Sequence, residues 1–377
     1  MSSLQSVSLI VSWRDACYKE SVADSKFTLR KQDHLRIALD ESVQTPERLG
    51  LDQMELIHDS LPELNLEDVQ IETSLLERPF RTPFYISGMT AGHEDAMELN
   101  LRLARAASER GWIFGVGSQR RELDADYLDS GIQSIVTTFS DLKLVANLGL
   151  AQLIELYLNR NSGATNPSQK KIEKIVQSSR ASLIAVHLNP LQEAIQVEGT
   201  PQFKHGLAAL QWLMDHTAVP VVVKETGSGL SRPALEKLSQ LKLYAVDVSG
   251  LGGTHWGRVE GKRADPHSRA ARMGETFKNW GISTLESAQL AIEIFKGTTT
   301  EVWASGGVRT GLDAAKLLAL GCDRIGFAKP ALVAALKSEH ELQQWMATIE
   351  QELKVAMFCS GSANLNELNL GKIRGKS

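Results

Sequence analysis

Between residues 84 and 330 the sequence predicts a (β/α)8 TIM barrel, an α/β fold, with an N-terminal extension before it and C-terminal helices after it. Three observations carry that expectation. Eight short runs rich in Val, Ile and Phe recur, each the length of a fully buried parallel strand. Each run leads into a stretch with helical periodicity, and polar and glycine residues gather at the C-terminal end of every run. A doubly wound open sheet is the competing architecture for such an alternation.

The runs are Phe84–Met89, Trp112–Gly117, Leu142–Leu148, Ser182–Leu188, Pro220–Glu225, Tyr244–Ser249, Glu301–Ser305 and Arg324–Ala328. Asn166 followed by Pro167 reads as the cap and first turn of a helix whose Ile172, Ile175 and Val176 share a face. Ser231 opens another, carrying Leu235 and Leu238. Ser283 and Glu286 have the spacing of a capping box, ahead of a helix that turns Leu285, Ala288, Ile292 and Phe295 to the sheet. A helix from Leu312 to Leu320 is stopped by Gly321. Outside the barrel, residues 1–29 form an extension and 30–83 a mixed polar segment with a charged helical stretch near Arg30–Glu41. Residues 331–377 are C-terminal helices and tail, with 331–358 reading as helix, bearing Leu342, Met346, Ile349, Leu353 and Met357 on one side and ended by Gly361.

Composition narrows the function. The 377 residues include 41 Lys and Arg against 45 Asp and Glu, a net charge of −4, with 42% hydrophobic and 23% charged residues. Those proportions exclude disorder, collagen and coiled coil, and a balanced charge offers no basic field for nucleic acid. Cys17, Cys322 and Cys359 are far apart and form no CxxC pair, so neither a disulfide framework nor a zinc site is indicated, and a reducing cytoplasm fits. Ser2 to Trp13 lacks a basic flank and a long apolar run, which makes it a poor signal peptide and too short to span a membrane.

Chemistry is expected at the strand ends, because barrel enzymes carry reactive groups on the loops that follow the strands. Gly306 and Gly307, with a helix starting near Gly311, suit an anion held by backbone N–H groups and the positive end of that helix, beside Ala328 and Lys329. Lys224 ends an apolar strand, where a desolvated ammonium needs an anionic partner; Glu225 and Asp247 are the alternatives to a ligand. His187, Asn189, Gln192 and Glu193 share one loop, combining a candidate proton carrier, two amides and a carboxylate. A single carboxylate suits Mg2+, completed by phosphate oxygens and water, better than zinc, the alternative being a solvated loop acid. Arg30, Lys31, His34 and Arg36 are a basic cluster or a solvated helix face, and residues 257–281, with Arg258, Lys262, Arg263, Arg269 and Arg272, are a lid over an anion or a mobile loop.

Seven motifs together resemble the type 2 isopentenyl-diphosphate isomerases, which are FMN-dependent. They are Arg30-Lys31-Gln32-Asp33-His34, Ser87-Gly88-Met89-Thr90-Ala91-Gly92, Gly117-Ser118-Gln119-Arg120, His187-Leu188-Asn189-Pro190-Leu191-Gln192-Glu193, Val223-Lys224-Glu225, Asp247 through Thr254, and Ala304 through Arg309. The likeness runs in order from about residue 30 to about residue 370. It departs at Ala91, where the family usually has a second glycine. The glycine motifs are shared with other FMN barrels; the first and fourth motifs are the specific ones.

The resemblance implies that FMN is held by Met89, Thr90, Ala91, Ser118, Asn147, Lys224, Ser249 and Thr254, and its phosphate by Gly307, Val308, Arg309, Ala328 and Lys329. It implies that the 30–83 segment binds substrate, with Arg30, Lys31, Ser118, Gln119 and Arg120 at a diphosphate, Gln192 and His187 as catalytic groups, Gln192 also touching substrate, and Glu193 on Mg2+. The implied reaction is a 1,3-proton shift between isopentenyl and dimethylallyl diphosphate in isoprenoid biosynthesis, on flavin reduced by NADPH, in a cytoplasmic homo-oligomer, a tetramer or octamer. Other FMN barrels fit less well. A nucleotide dehydrogenase wants a cysteine where Thr254-His255 stands, and a 2-hydroxy-acid oxidase wants a His and Arg pair after the fifth strand, where Glu225-Thr226-Gly227 stands. A non-catalytic flavin-binding protein is the third reading.

Overall fold

A computed structural model describes residues 22–89, 94–124, 127, 129–160 and 166–375. Thr90, Ala91 and most of the 1–29 extension lie outside the described residues.

Eight parallel strands close into a barrel in sequence order. They are β1 (Phe84–Ile86), β2 (Ile113–Gly115), β3 (Leu144–Gly149), β4 (Leu183–Leu188), β5 (Val221–Glu225), β6 (Ala245–Asp247), β7 (Glu301–Ala304) and β8 (Arg324–Phe327). Pairing of Ile325 with Phe84 and Phe327 with Ile86 closes the ring, which excludes the open sheet. Seven of the expected runs contain their strands, because these residues are buried on both faces, and Leu142–Leu148 stops one residue short of the end of β3. Tyr85, Ile113, Val145, Leu183, Ala185, Val222, Ala245 and Trp303 fill the interior, and the larger shell between strands and helices is a separate apolar layer. The N-terminal end of the barrel is sealed. A hairpin of Thr73–Leu75 and Arg78–Phe80 lies there, and the buried Arg324 reaches from Glu301 (3.0 Å) to the Ser74 carbonyl.

Helix caps follow the sequence with two differences. Asn166 accepts the Ser168 and Gln169 N–H groups, and Ser231 accepts from Ala234. The Ser283 hydroxyl accepts the Glu286 N–H at 3.1 Å, but Ser283 is drawn into a β-bridge with Leu251, and the complete capping box is at Thr310 and Asp313 instead. Residues 331–358 are not one helix. Lys329–Lys337 and Glu339–Phe358 are separated by an extended Ser338 whose hydroxyl caps the second helix at the Glu341 N–H. The five expected apolar residues of that second helix are all buried.

The stretch read as a lid or mobile loop is instead two helices, Trp256–Arg263 and Arg269–Thr276. They cross closely where Gly261 faces Gly274: a Cβ on Gly261 would lie 2.7 Å from the Gly274 Cα. At the N-terminus, a helix Val22–Ala38 and the turns after it lie over the barrel mouth. Thr45 ties this roof to the loop after β6, its N–H and hydroxyl both donating to the Gly253 carbonyl at 2.9 and 3.1 Å. Among the described residues no helix is long and apolar enough to cross a membrane.

Candidate active site

The strand ends and the roof enclose a cavity of about 590 Å³, the size of a small-molecule site. Its floor is polar. Asn147, His187 and Lys224, from β3, β4 and β5, stand beside Ser87, Ser249 and Ser305. The Asn147 amide donates to the Val116 carbonyl at 3.0 Å, so its oxygen is the atom 2.8 Å from His187 Nδ1. That nitrogen therefore carries the hydrogen, and Nε2 keeps its lone pair. Burial, then the charges of Lys224 and Lys31, push His187 down to about 3. The imidazole is neutral at physiological pH, so His187 accepts hydrogen bonds and is not a standing acid. Gly149 is required beside it: a Cβ would run into Gln152 Oε1 and come within 3.0 Å of His187 Nε2. Gln152 also lines the cavity and went unread in the sequence, because it enters from the first turn of a helix rather than from a strand end.

Lys224 Nζ donates to the Glu225 main-chain carbonyl at 2.7 Å. The Glu225 carboxylate is turned the other way, taking the N–H groups of Thr226, Gly227 and Ser228, so it caps its own loop and is no side-chain partner for Lys224. Ser249, at φ +36, and Thr254, whose hydroxyl accepts from Gln44 at 3.1 Å, line the next wall, and Met89 a further one.

The loops after β7 and β8 form the far end. Gly306 and Gly307 have φ of +95 and +88, and side chains there would strike the Gly250 and Gly252 backbones. The N–H groups of Gly307 and Val308 have no acceptor among the described residues. The helix after them does not contribute as expected. Asp313 takes the Arg309 and Thr310 N–H groups, and Glu352 takes that of Gly311, so two acids already cap Gly311–Leu320. The helix Lys329–Lys337 has no side-chain cap, and Ala328, Lys329 and Pro330 face the cavity, which makes it the anion-facing pole. Lys329 also meets Glu41 of the roof at 2.7 Å. The Arg309 guanidinium is spent on the Gly252 and Gly307 carbonyls, bracing the two glycine loops.

The roof supplies a second positive field. Arg30, Lys31 and His34 face down from Val22–Ala38, and Arg120 faces across from the turn after β2. Burial, then the neighbouring Arg30, brings Lys31 down to about 8, and burial with Arg120 lowers Arg30. Cations crowded out of water in this way are a seat for a polyanion. Ser118 joins them, whereas Gln119 does not line the cavity: it is fully buried and its Oε1 accepts the Asn147 N–H at 3.0 Å, bracing the floor.

The loop after β4 is wired into a network absent from the sequence reading. Asn189 donates to Gln192 Oε1 (3.1 Å) and Glu193 Oε1 (3.0 Å), and Gln192 Nε2 donates to Glu260 Oε1 at 2.8 Å. Glu260, on Trp256–Arg263, also meets His34 Nε2 at 2.9 Å and Arg263 Nε at 3.0 Å. Burial works to raise the Glu260 carboxyl, but bonds from His34 and Gln192 and the Arg263 charge outweigh it and hold it below the usual carboxylate range. Two other cations of this segment are structural. Arg258 spans the Lys278 and Gln44 carbonyls and Asn279, and Lys262 pairs with Asp40.

Two groups implied by the resemblance can be tested on these atoms. For FMN, the Gly307 and Val308 N–H groups and the buried Ser87 hydroxyl, none of them with a partner among the described residues, and the helix at Lys329 without a side-chain cap fit a phosphate-bearing ligand. For Mg2+, no three His, Cys, Asp or Glu cluster among the described residues. Glu193, whose oxygens accept from Asn189 (3.0 Å) and the Thr200 N–H (2.6 Å), lines the cavity near Asn189 Oδ1, a buried oxygen without a partner among the described residues, and a carboxylate with one further hard oxygen suits a cation completed by phosphate and water.

A family profile described as FMN-dependent dehydrogenase matches residues 159–374, more than half of the chain. Curated relatives named isopentenyl-diphosphate delta-isomerase are similar over nearly the whole length. One from Bdellovibrio bacteriovorus is 45% identical over 93% of this chain and 99% of its own. One from Legionella pneumophila is 45% identical over 91% and 97%, and one from Synechococcus is 41% identical over 91% and 94%. Solved structures of an (S)-mandelate dehydrogenase mutant (TM-score 0.65, 16% identity, 94% of this chain and 98% of that one) and of a flavocytochrome b2 mutant with benzoylformate (0.66, 17%, 93% and 86%) share the barrel fold.

Proposed function

The chain belongs to the isopentenyl-diphosphate delta-isomerase family, and from that premise we propose that it interconverts isopentenyl and dimethylallyl diphosphate by a 1,3-proton shift, with reduced FMN and Mg2+, in isoprenoid biosynthesis. The observation that carries this reading is the meeting, in one enclosed cavity, of a three-cation roof, an uncharged histidine and amide floor, and the Gln192–Glu260 pair. Arg30, Lys31 and Arg120 bind the diphosphate and fix one end of the substrate. The neutral His187 and the tied Asn147 present no competing acid to the alkene. Gln192, held at both ends of its amide, orients the reacting carbons. Reduced FMN, on the floor contacted by Met89, Ser118, Asn147, Lys224, Ser249 and Thr254, supplies the acid and base that an unactivated alkene requires. Glu193 holds Mg2+ together with substrate oxygens. NADPH as reductant, a cytoplasmic location and a homo-oligomeric tetramer or octamer complete the proposal, supported by the family likeness.

The test is twofold. Purified protein supplied with FMN should show the visible flavin band, and its reduced form should turn over isopentenyl diphosphate. A flavin-loaded, reduced protein without that turnover would leave only a flavin-binding role. The His and Arg pair that oxidation of a 2-hydroxy acid wants after the fifth strand is replaced by Glu225-Thr226-Gly227, where the Glu225 carboxylate takes the Thr226, Gly227 and Ser228 N–H groups.

Glu193→Gln is expected to weaken Mg2+-dependent substrate binding by about tenfold or more, the scale of one charge-assisted contact, with FMN still bound. Activity across a Mg2+ titration, read beside flavin absorbance, checks this. Superimposable titrations of variant and parent would refute the assignment.

A further inference from the structure

Lys224 on β5 stands opposite His187 on β4 and Asp247 on β6 in the strand register. Side chains at matched positions of neighbouring strands leave the same face, so the three form one row into the barrel. Lys224 reaches the cavity; Asp247, 1% exposed, is not part of its lining and lies beneath the floor. Asp247 is firmly placed. Its Oδ1 accepts from Ser305 Oγ at 2.8 Å and from the Ser249 N–H at 3.2 Å.

Among the described residues, Lys224 is the charged group that acts on this carboxylate. Tyr85 from β1, Ser305 just after β7 and Cys322 before β8 face it, and burial pushes the Tyr85 hydroxyl and the Cys322 thiol up, so both are neutral. On the lysine side, His187 is neutral, and the Glu225 carboxylate is turned onto the Thr226–Ser228 N–H groups, so that its charge supports Lys224 less than that of Asp247 does. Burial lowers Lys224 and raises Asp247, driving each toward its uncharged form, and each opposes that drive in the other.

We propose that Asp247 is a positioning residue: it is the buried counter-ion that keeps the Lys224 ammonium charged and aimed at the flavin from below. This rests on the reading of Lys224 as a flavin contact. A buried ammonium at the floor presents a fixed positive pole to the ring above it, and without its counter-ion the proton leaves at lower pH.

The test measures FMN dissociation, from flavin fluorescence, between neutral pH and about pH 10. In the parent, affinity falls on the alkaline side as Lys224 loses its proton. In Asp247→Asn, FMN still binds but that limb lies about one to three pH units lower, the usual effect of one close opposite charge. Lys224→Met removes the limb, and adding Asp247→Asn to it moves nothing further. Asp247→Glu, which restores the charge, returns the limb toward the parent's. Should Asp247→Asn not fold, the smaller Asp247→Ser serves the same comparison. A limb unmoved by loss of the carboxylate overturns the proposal, since a merely structural Asp247 would change affinity at every pH alike. A limb that survives in Lys224→Met overturns instead the reading of Lys224 as a flavin contact.

Discussion

Gln192→Ala is expected to lower kcat by about a hundredfold with KM within about twofold of the parent. The amide is held between Asn189, which donates to its oxygen, and Glu260, which accepts from its nitrogen. Neither partner is a diphosphate anchor, so removing Gln192 leaves ground-state binding in place. What disappears is the fixed orientation of groups at the reacting carbons, and a misplacement of about 1 Å there is enough for a loss of this size. Glu260 keeps His34 and Arg263 after the substitution, so the roof stays attached and the effect remains local. Steady-state kinetics on flavin-reduced enzyme decide the matter. A rise in KM alone would place Gln192 among the binding groups and undo its assigned role.

Lys31→Ala and Arg30→Ala should fail in the opposite way. Each removes a charge-assisted contact of roughly 1.5–3 kcal/mol, a loss of about ten- to a hundredfold in kcat/KM, carried mainly by KM. A share appears in kcat to the extent that anchoring at the diphosphate holds the alkene over the floor. Lys31 adds a pH signature. Because its ammonium is lowered to about 8 in the ligand-free cavity, its charged form dominates below that pH and is lost above it. KM should therefore climb on the alkaline side in the parent, and Lys31→Ala should flatten that climb. A fall in kcat alone for either variant, with KM unchanged, would contradict the assignment of these residues as anchors.

The barrel was legible because its signal is local. A strand buried on both faces must be a continuous apolar run, and its end must turn polar where it meets the cavity, so Val221–Glu225 announces both itself and Lys224. The phosphate pole was half legible. Gly306 and Gly307 marked a loop that does leave N–H groups facing the cavity, but that the next helix is closed off by Asp313 and Glu352 depends on a partner some forty residues away. Arg258, Lys262 and Arg263 show the converse error. A run of cations looks like an anion site, yet where each side chain ends is decided by distant carbonyls and carboxylates. Glu260 was invisible for the same reason: nothing adjacent to it in sequence reveals that it faces His34 and Gln192.

The Thr45–Gly253 contact also bears on how the molecule comes together. The two residues stand 208 positions apart, so the roof cannot settle until the loop after the sixth strand exists and is in place. Closing so long a stretch of chain carries its entropic cost before any compensating contact forms, whereas neighbouring β and α units find each other early. The cationic roof is thereby the last part of the pocket to be assembled, although its helix comes before every strand of the barrel. Partly folded chains would already have the floor and the glycine loops in place, and a cofactor captured at that stage would act as the template on which the roof docks.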